Sequence, residues 1–132
     1  MDPDRVAAAL SAPGTRTVRC FRRPDGVVMV DTPLRFPDGD RFPLYLDEDA
    51  EGVFLSDRGH TLMHISYEHD VDQWFEGSRA PLREQIVRDY GLKEENGAFV
   101  MRTSLDRLGA SALLLAQALT RIHDLTFLHP TA

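Results

Sequence analysis

His60 and His64 stand four residues apart, a spacing that sets two imidazoles on one side of a helix, where they can share a zinc ion. Asp57 or His69 would complete a set of three ligands. Asp38, Asp40, Asp57 and His60 are a second grouping that could surround a metal in an enzyme or in an accessory subunit of one. The histidine pair requires residues 60–64 to be helical. Thr61 follows His60 where a zinc protease has its glutamate, which removes the protease motif. Isolated histidines default to polar surface or turn positions, so no metal ligand, no cofactor and no catalytic residue is assigned from the sequence.

Other chemistries fare worse. Metal-dependent nucleases whose core begins with Pro-Asp need a second carboxylate and a lysine two residues beyond it. Pro37-Asp38 is present, but the one lysine is Lys93 and Gly91 stands where that carboxylate belongs. Pro37-Asp38-Gly39-Asp40 is instead a tight turn, proline presetting φ and Gly39 taking a positive φ. Cys20 shares a strand pattern with Val18 and is expected to be buried and inert. No glycine-rich run opens a helix to cradle phosphate, and no serine has a nucleophile-elbow context. His123 and Asp124 are neighbours on a helix, point in different directions and cannot work as a dyad.

Charge carries more information than any motif. Residues 37–77 hold two arginines and eleven acids, net −9, whereas residues 1–36 are net +2 and residues 78–132 net +1. The chain's net charge of −6 therefore arises in its middle third. Such a surface repels phosphate backbones and attracts basic partners, which speaks against direct nucleic-acid binding. The acidic run reads first as solvated loop. The alternative is that Asp38, Asp40, Asp47, Glu48, Asp49 and Glu51, extended by Glu68, Asp70 and Asp72, converge into one face that imitates a phosphate backbone and occupies a basic groove on another protein. The row Arg16, Arg19, Arg22 and Arg23 is expected to lack interleaved surface aromatics and reads as a solvated strand face.

The elements that must position these groups are alternating strands and amphipathic helices. Asp2-Pro3 is a helix start, with Val6, Ala9 and Leu10 as a small apolar face ending at Pro13-Gly14. Residues 15–22 alternate as a strand, Pro24-Asp25-Gly26 turns, and Val27–Val30 returns. Phe42, Leu44 and Leu46 make a third strand, with Pro43 suggesting an edge. The acidic loop 47–52 leads to a fourth strand at Val53-Phe54-Leu55. Connections this short make an antiparallel meander. His60 to Ile65 could start a short helix, and Val71, Trp74 and Phe75 have helical spacing. Ser78 to Gly91 is a helix faced by Leu82, Ile86, Val87 and Tyr90, with Gly91 at the left-handed cap. Residues 92–101 form a hairpin turning at Asn96-Gly97. Thr103 caps a long helix, Asp106 in the capping-box position, and Leu105, Leu108, Ala112, Leu115, Leu119 and Ile122 line it, widened by Leu113, Leu114 and Leu125. The fold class is α+β: a four-strand meander and a small hairpin packed by helices, as one domain over residues 1–132.

At 132 residues the chain can bury a sizeable core without staples. A single cysteine fits a reducing compartment, the acidic N-terminus is unlike a signal peptide, and the apolar run at Leu113–Ala116 is too short to span a bilayer. The expected location is cytoplasmic, with no membrane partner. The wide apolar face of the last helix leaves a homodimer open.

Phe36-Pro37-Asp38-Gly39-Asp40, Leu55-Ser56-Asp57-Arg58-Gly59-His60-Thr61-Leu62, and Tyr90-Gly91-Leu92 before Asn96-Gly97 and a long final helix occur in an order that resembles the bacterial and phage domain-of-unknown-function family eighteen-twenty-eight. His60 stands where that family would have an acidic or polar residue. The family brings no catalytic residues. The resemblance implies a phage or mobile-element context, where small acidic proteins inhibit host defence, CRISPR effectors included. The sequence thus leads to a non-catalytic, anti-CRISPR-like interaction protein in the host cytoplasm, its acidic face meeting a host protein or complex with a basic surface. A metal-dependent enzyme or accessory is the alternative.

Overall fold

The computed structural model describes residues 1–11, 18–71 and 76–128. Six strands form one antiparallel sheet: β1 (Arg19–Arg22), β2 (Val28–Asp31), β3 (Leu44–Asp49), β4 (Gly52–Ser56), β5 (Lys93–Glu95) and β6 (Ala98–Thr103), ordered β1-β2-β3-β4-β6-β5. The α+β class, the meander and the small hairpin are as the sequence predicts, and β6 joins the hairpin to β4 in the one sheet. The turns follow their chemistry. Asn96 and Gly97 both take positive φ, 52° and 81°, the conformation that matches strand twist in a two-residue hairpin. The predicted acidic loop is mostly strand: Asp47, Glu48 and Asp49 pair with Phe54, Val53 and Gly52, and Asp49 Oδ1 accepts from the Glu51 N–H at 2.9 Å. Pro43 marks no edge, because it precedes the first ladder residue of an interior strand.

Four helices are described: α1 (Pro3–Leu10), α2 (His60–Ser66), α3 (Arg79–Asp89) and α4 (Leu108–Asp124). α2, α3 and α4 cover one face of the sheet. Leu44, Leu55 and Phe99 from the strands bury against Ile65 of α2, Ile86 of α3 and Ala112, Leu115, Leu119 and Ile122 of α4. Each large side chain so buried stabilises by about 1.5–3 kcal/mol. α3 ends as predicted: Gly91 takes φ 64° and the Leu92 N–H donates to Val87 O at 2.8 Å, the six-to-one bond of a Schellman cap.

Several local expectations change. α1 starts at its Asp2 cap, whose Oδ1 accepts from Asp4 N–H at 2.9 Å, yet none of its residues is buried, Val6, Ala9 and Leu10 included. Cys20 is exposed, since all four residues of the edge strand β1 are exposed. Thr103 is no helix cap: it closes β6 opposite Val53, and Leu105–Arg107 form a 3-10 turn before α4 begins. Leu105 is exposed in consequence; Leu114 on α4 and Leu82 on α3, expected to face the core, are exposed as well. Pro13-Gly14, Arg16, Asp72, Trp74 and Phe75 lie outside the described residues. Among the described residues no helix is long and apolar enough to cross a membrane.

Candidate metal centre

Between β2 and β3 the chain makes a closed turn. The Gly39 N–H donates to Phe36 O at 2.9 Å, the Phe36 N–H donates to Asp40 O at 2.8 Å, and Asp38 Oδ1 accepts from Asp40 N–H at 2.9 Å. Gly39 sits at φ 90°, which a side chain would strain. The sequence-predicted turn is therefore present, and it sets Asp38 and Asp40 side by side with a glycine between them.

Facing this turn is α2. Its start is fixed by Asp57, which is fully buried and accepts three backbone N–H groups: Gly59 and Phe99 on Oδ1 at 3.0 and 2.8 Å, and Thr61 on Oδ2 at 3.2 Å. That clamp joins the end of β4, the first turn of α2 and β6. One turn along the helix, His64 Nε2 lies 2.8 Å from Asp38 Oδ2 and 3.7 Å from Asp40 Oδ2. Its ring stacks on Phe36 at 3.9 Å and 2°. One ligand atom from each of Asp38, Asp40 and His64 lies within 4.8 Å of the others. A tetrahedral ion with bonds of about 2.0–2.1 Å needs ligand atoms about 3.3 Å apart, so the three side chains would draw together to hold one.

The electrostatics favour a cation. The Asp40 N–H and then His64 hold the Asp38 carboxyl below its usual range, so it is ionised at neutral pH and ready to ligate. His123, from the last turn of α4, brings its ring to 5.5 Å from that of His64. Burial, and then the neighbouring His64, push His123 down, so it is uncharged at neutral pH. Its Nδ1 is 3.7 Å from Asp124 Oδ1, close enough to attract a charged ring though too long for a hydrogen bond, so the two side chains approach each other where the sequence has them pointing apart. A cavity of about 320 Å³ opens beside the triad, with Asp38, His64 and His123 in its wall.

The family model described as domain of unknown function DUF1828 matches residues 32–122, more than half of the chain. The chain belongs to this family. No curated protein and no solved structure matches it. The DUF1828 match spans both the turn and α2, so every residue of the triad lies inside it.

The triad differs from every grouping read in the sequence. Asp38 and Asp40 do converge, but with His64 in place of Asp57 and His60. Asp57 is spent on backbone amides, and His60 Nε2 lies 3.2 Å from the Tyr45 hydroxyl. The expected histidine pair therefore diverges, one ring to Tyr45 and the other to the turn. His69 lines the cavity without joining the ligand set. No spacing rule reveals His64, which is 26 residues from Asp38; the signals were the Asp-Gly-Asp turn and the helical His64, visible only separately.

The acidic face does not stand either. Arg58 pairs with Asp47 at 2.9 Å, Arg102 pairs with Asp49 and lies 3.5 Å from Glu51, and both guanidinium groups cover aromatic rings, Tyr45 and Phe54. Asp38 and Asp40 belong to the triad, and Glu48 is exposed on β3. Asp47 and Asp49 are thus each matched by an arginine, which lowers the charge that this part of the segment presents. The reading of a non-catalytic, anti-CRISPR-like inhibitor without metal ligands or enzymatic activity is overturned by the Asp38–Asp40–His64 cluster and by these pairings.

Proposed function

We propose that this protein is a divalent-metal-dependent enzyme whose ion is held by Asp38, Asp40 and His64. The observation that carries the reading is the convergence of two carboxylates and one imidazole within 4.8 Å at the mouth of a cavity. Oxygen and nitrogen donors in this mixture suit Zn²⁺ or Mn²⁺ better than Ca²⁺ or Mg²⁺, which take all-oxygen shells, and the absence of sulfur from the set disfavours Cu⁺. Three protein ligands leave a position open for water, the pattern of catalytic rather than structural sites. The chemistry this supports is hydrolysis. An ion held by Asp38, Asp40 and His64 would supply an activated water for cleavage of an ester or phosphoester, with His123 as the group that would carry the proton toward the leaving group.

His64 also sets the affinity. An ion on Nε2 puts the ring proton on Nδ1, which is buried and without a hydrogen-bond partner. Metal-bound imidazoles gain about 10–100-fold in affinity from such a partner. The expected affinity is accordingly modest, a micromolar rather than nanomolar dissociation constant. The test is calorimetric titration of metal-free protein with Zn²⁺ and Mn²⁺, with bound metal quantified after dialysis. One ion per chain is expected, lost in Asp38→Asn, Asp40→Asn and His64→Ala variants that remain folded. Binding that survives all three substitutions, or no binding at all, refutes the assignment.

A further inference from the structure

The proposed ion would sit on a ridge between two depressions. The larger, about 320 Å³, holds Asp38, Ile65, Thr126 and Phe127 in its wall. The smaller, about 250 Å³, holds Asp40, Arg41, Pro43 and Met63. His64 and Tyr67 line both. A substrate that presents its reacting bond to the ion must therefore place one group on each side, and the two sides differ in chemistry.

On the larger side, Tyr67 and Phe127 are 70% and 74% exposed. Large aromatic side chains left in water on one cavity, whose wall also holds Ile65 and Pro37, are a surface for a flat apolar group. On the smaller side, Arg41 is tied to Asp31 by a 3.9 Å contact at Nε, and its side chain is 63% exposed. Among the described residues nothing occupies its terminal nitrogens, which form a fork suited to two oxygens of an oxyanion. A dication would offset the charges of Asp38 and Asp40, leaving Arg41, with Asp31 on its Nε, as the cation of the smaller side and Glu68 as the carboxylate of the larger one, so an anionic group is better placed on the smaller side.

We propose that the site takes an anionic phosphoester of an aromatic or similarly flat alcohol, with its phosphoryl oxygens on the ion and Arg41 and its organic group between Tyr67 and Phe127. This rests on the metal reading above and adds the substrate class. Hydrolysis would join the water oxygen to phosphorus, break the phosphorus–oxygen ester bond, and return the proton to the departing alcohol.

The test is calorimetric titration of the full chain, loaded with Mn²⁺, with phenyl phosphate, inorganic phosphate and benzoate, while electron paramagnetic resonance reports bound Mn²⁺ on the same samples. Phenyl phosphate is expected to bind about tenfold tighter than inorganic phosphate or benzoate. F127A should remove that advantage and leave inorganic phosphate unchanged, and R41A should weaken both phosphates by about tenfold. Both side chains are exposed, so the variants fold. Bound Mn²⁺ with equal affinity for phenyl phosphate and inorganic phosphate, with benzoate as good as phenyl phosphate, or with R41A indistinguishable from wild type overturns the substrate class and leaves the metal site standing. Absence of bound Mn²⁺ overturns both.

Discussion

Asp57 is a carboxylate that both metal readings of the sequence nominated as a ligand, and the fold gives it a different task. Its two oxygens accept N–H groups from Gly59, Thr61 and Phe99 inside a site with no solvent exposure. A hydrogen bond to a charged acceptor contributes about 1.5–3 kcal/mol, and a buried donor left unpaired costs about 1–3 kcal/mol. Asp57→Asn keeps the two bonds on Oδ1 but turns an amide donor toward the Thr61 N–H, a loss of about 1.5–3 kcal/mol. Asp57→Ala orphans all three donors, and even with partial relaxation the loss should reach about 3–5 kcal/mol. Urea denaturation followed by far-ultraviolet circular dichroism measures both. If Asp57 is a clamp and not a ligand, Asp57→Asn should lower stability while metal affinity per folded molecule stays within about twofold of wild type. An Asp57→Ala variant within about 0.5 kcal/mol of wild type, or a folded Asp57→Asn that has lost the ion, refutes this reasoning.

The remaining expectations concern the core and the titrating groups. Leu119→Ala removes a fully buried side chain where α4 meets the sheet and should cost about 2–5 kcal/mol in the same denaturation experiment. Arg102, then the Glu51 amide, lower the Asp49 carboxyl to about 2; nuclear magnetic resonance titration should find it there, and R102A should return it toward 3.8. For His123 the folded chain binds its proton more weakly than the unfolded chain, whose value is 6.5. Its contribution to stability is therefore complete above that pH and is lost as pH falls from 6.5 through the folded value. Melting temperatures between about pH 5 and 7.5 should fall more steeply on acidification in wild type than in His123→Gln, and equal slopes would contradict the assigned shift.

Features fixed by neighbouring residues were legible in the sequence. Asn96-Gly97 admits the one hairpin geometry its strands need, Gly91 admits the left-handed cap, and the stripe from Ala112 to Ile122 can bury only one way. Errors arose where a local preference met a longer-range one. Thr103 has a capping side chain, but the ladder opposite Val53 claims its backbone first, which displaces the helix start to Leu108 and leaves Leu105 in solvent. Cys20 alternates correctly for a half-buried strand, yet burial requires a covering layer, and every residue of β1 is exposed. The acidic segment misled for a related reason. Counting its charges leaves out Arg102, which reaches Asp49 from 53 residues away, and does not show that Arg58, already in the count, turns onto Asp47.

The triad itself shows how a site can be well determined and still absent from any local pattern. Its ligands come from a turn and a helix that are each ordinary, and the residue that registers one against the other is Phe36. The backbone of Phe36 closes the Asp-Gly-Asp turn through its own N–H and C=O. Its side chain is 3% exposed and packs on Phe42 at 4.0 Å, on the His64 ring at 3.9 Å and on the His123 ring at 5.0 Å. One apolar residue thus ties the carboxylate turn, the His64 imidazole and the His123 imidazole to the hydrophobic core. Asp57 fixes the start of α2 from its other side by holding the helix to β6. Ligand geometry near the productive arrangement depends on supports of this kind, because each ligand side chain alone retains several rotamers. The rigidity that the proposed metal centre requires is supplied here by a phenylalanine and by an aspartate that the sequence nominates as a ligand and the fold uses as a clamp.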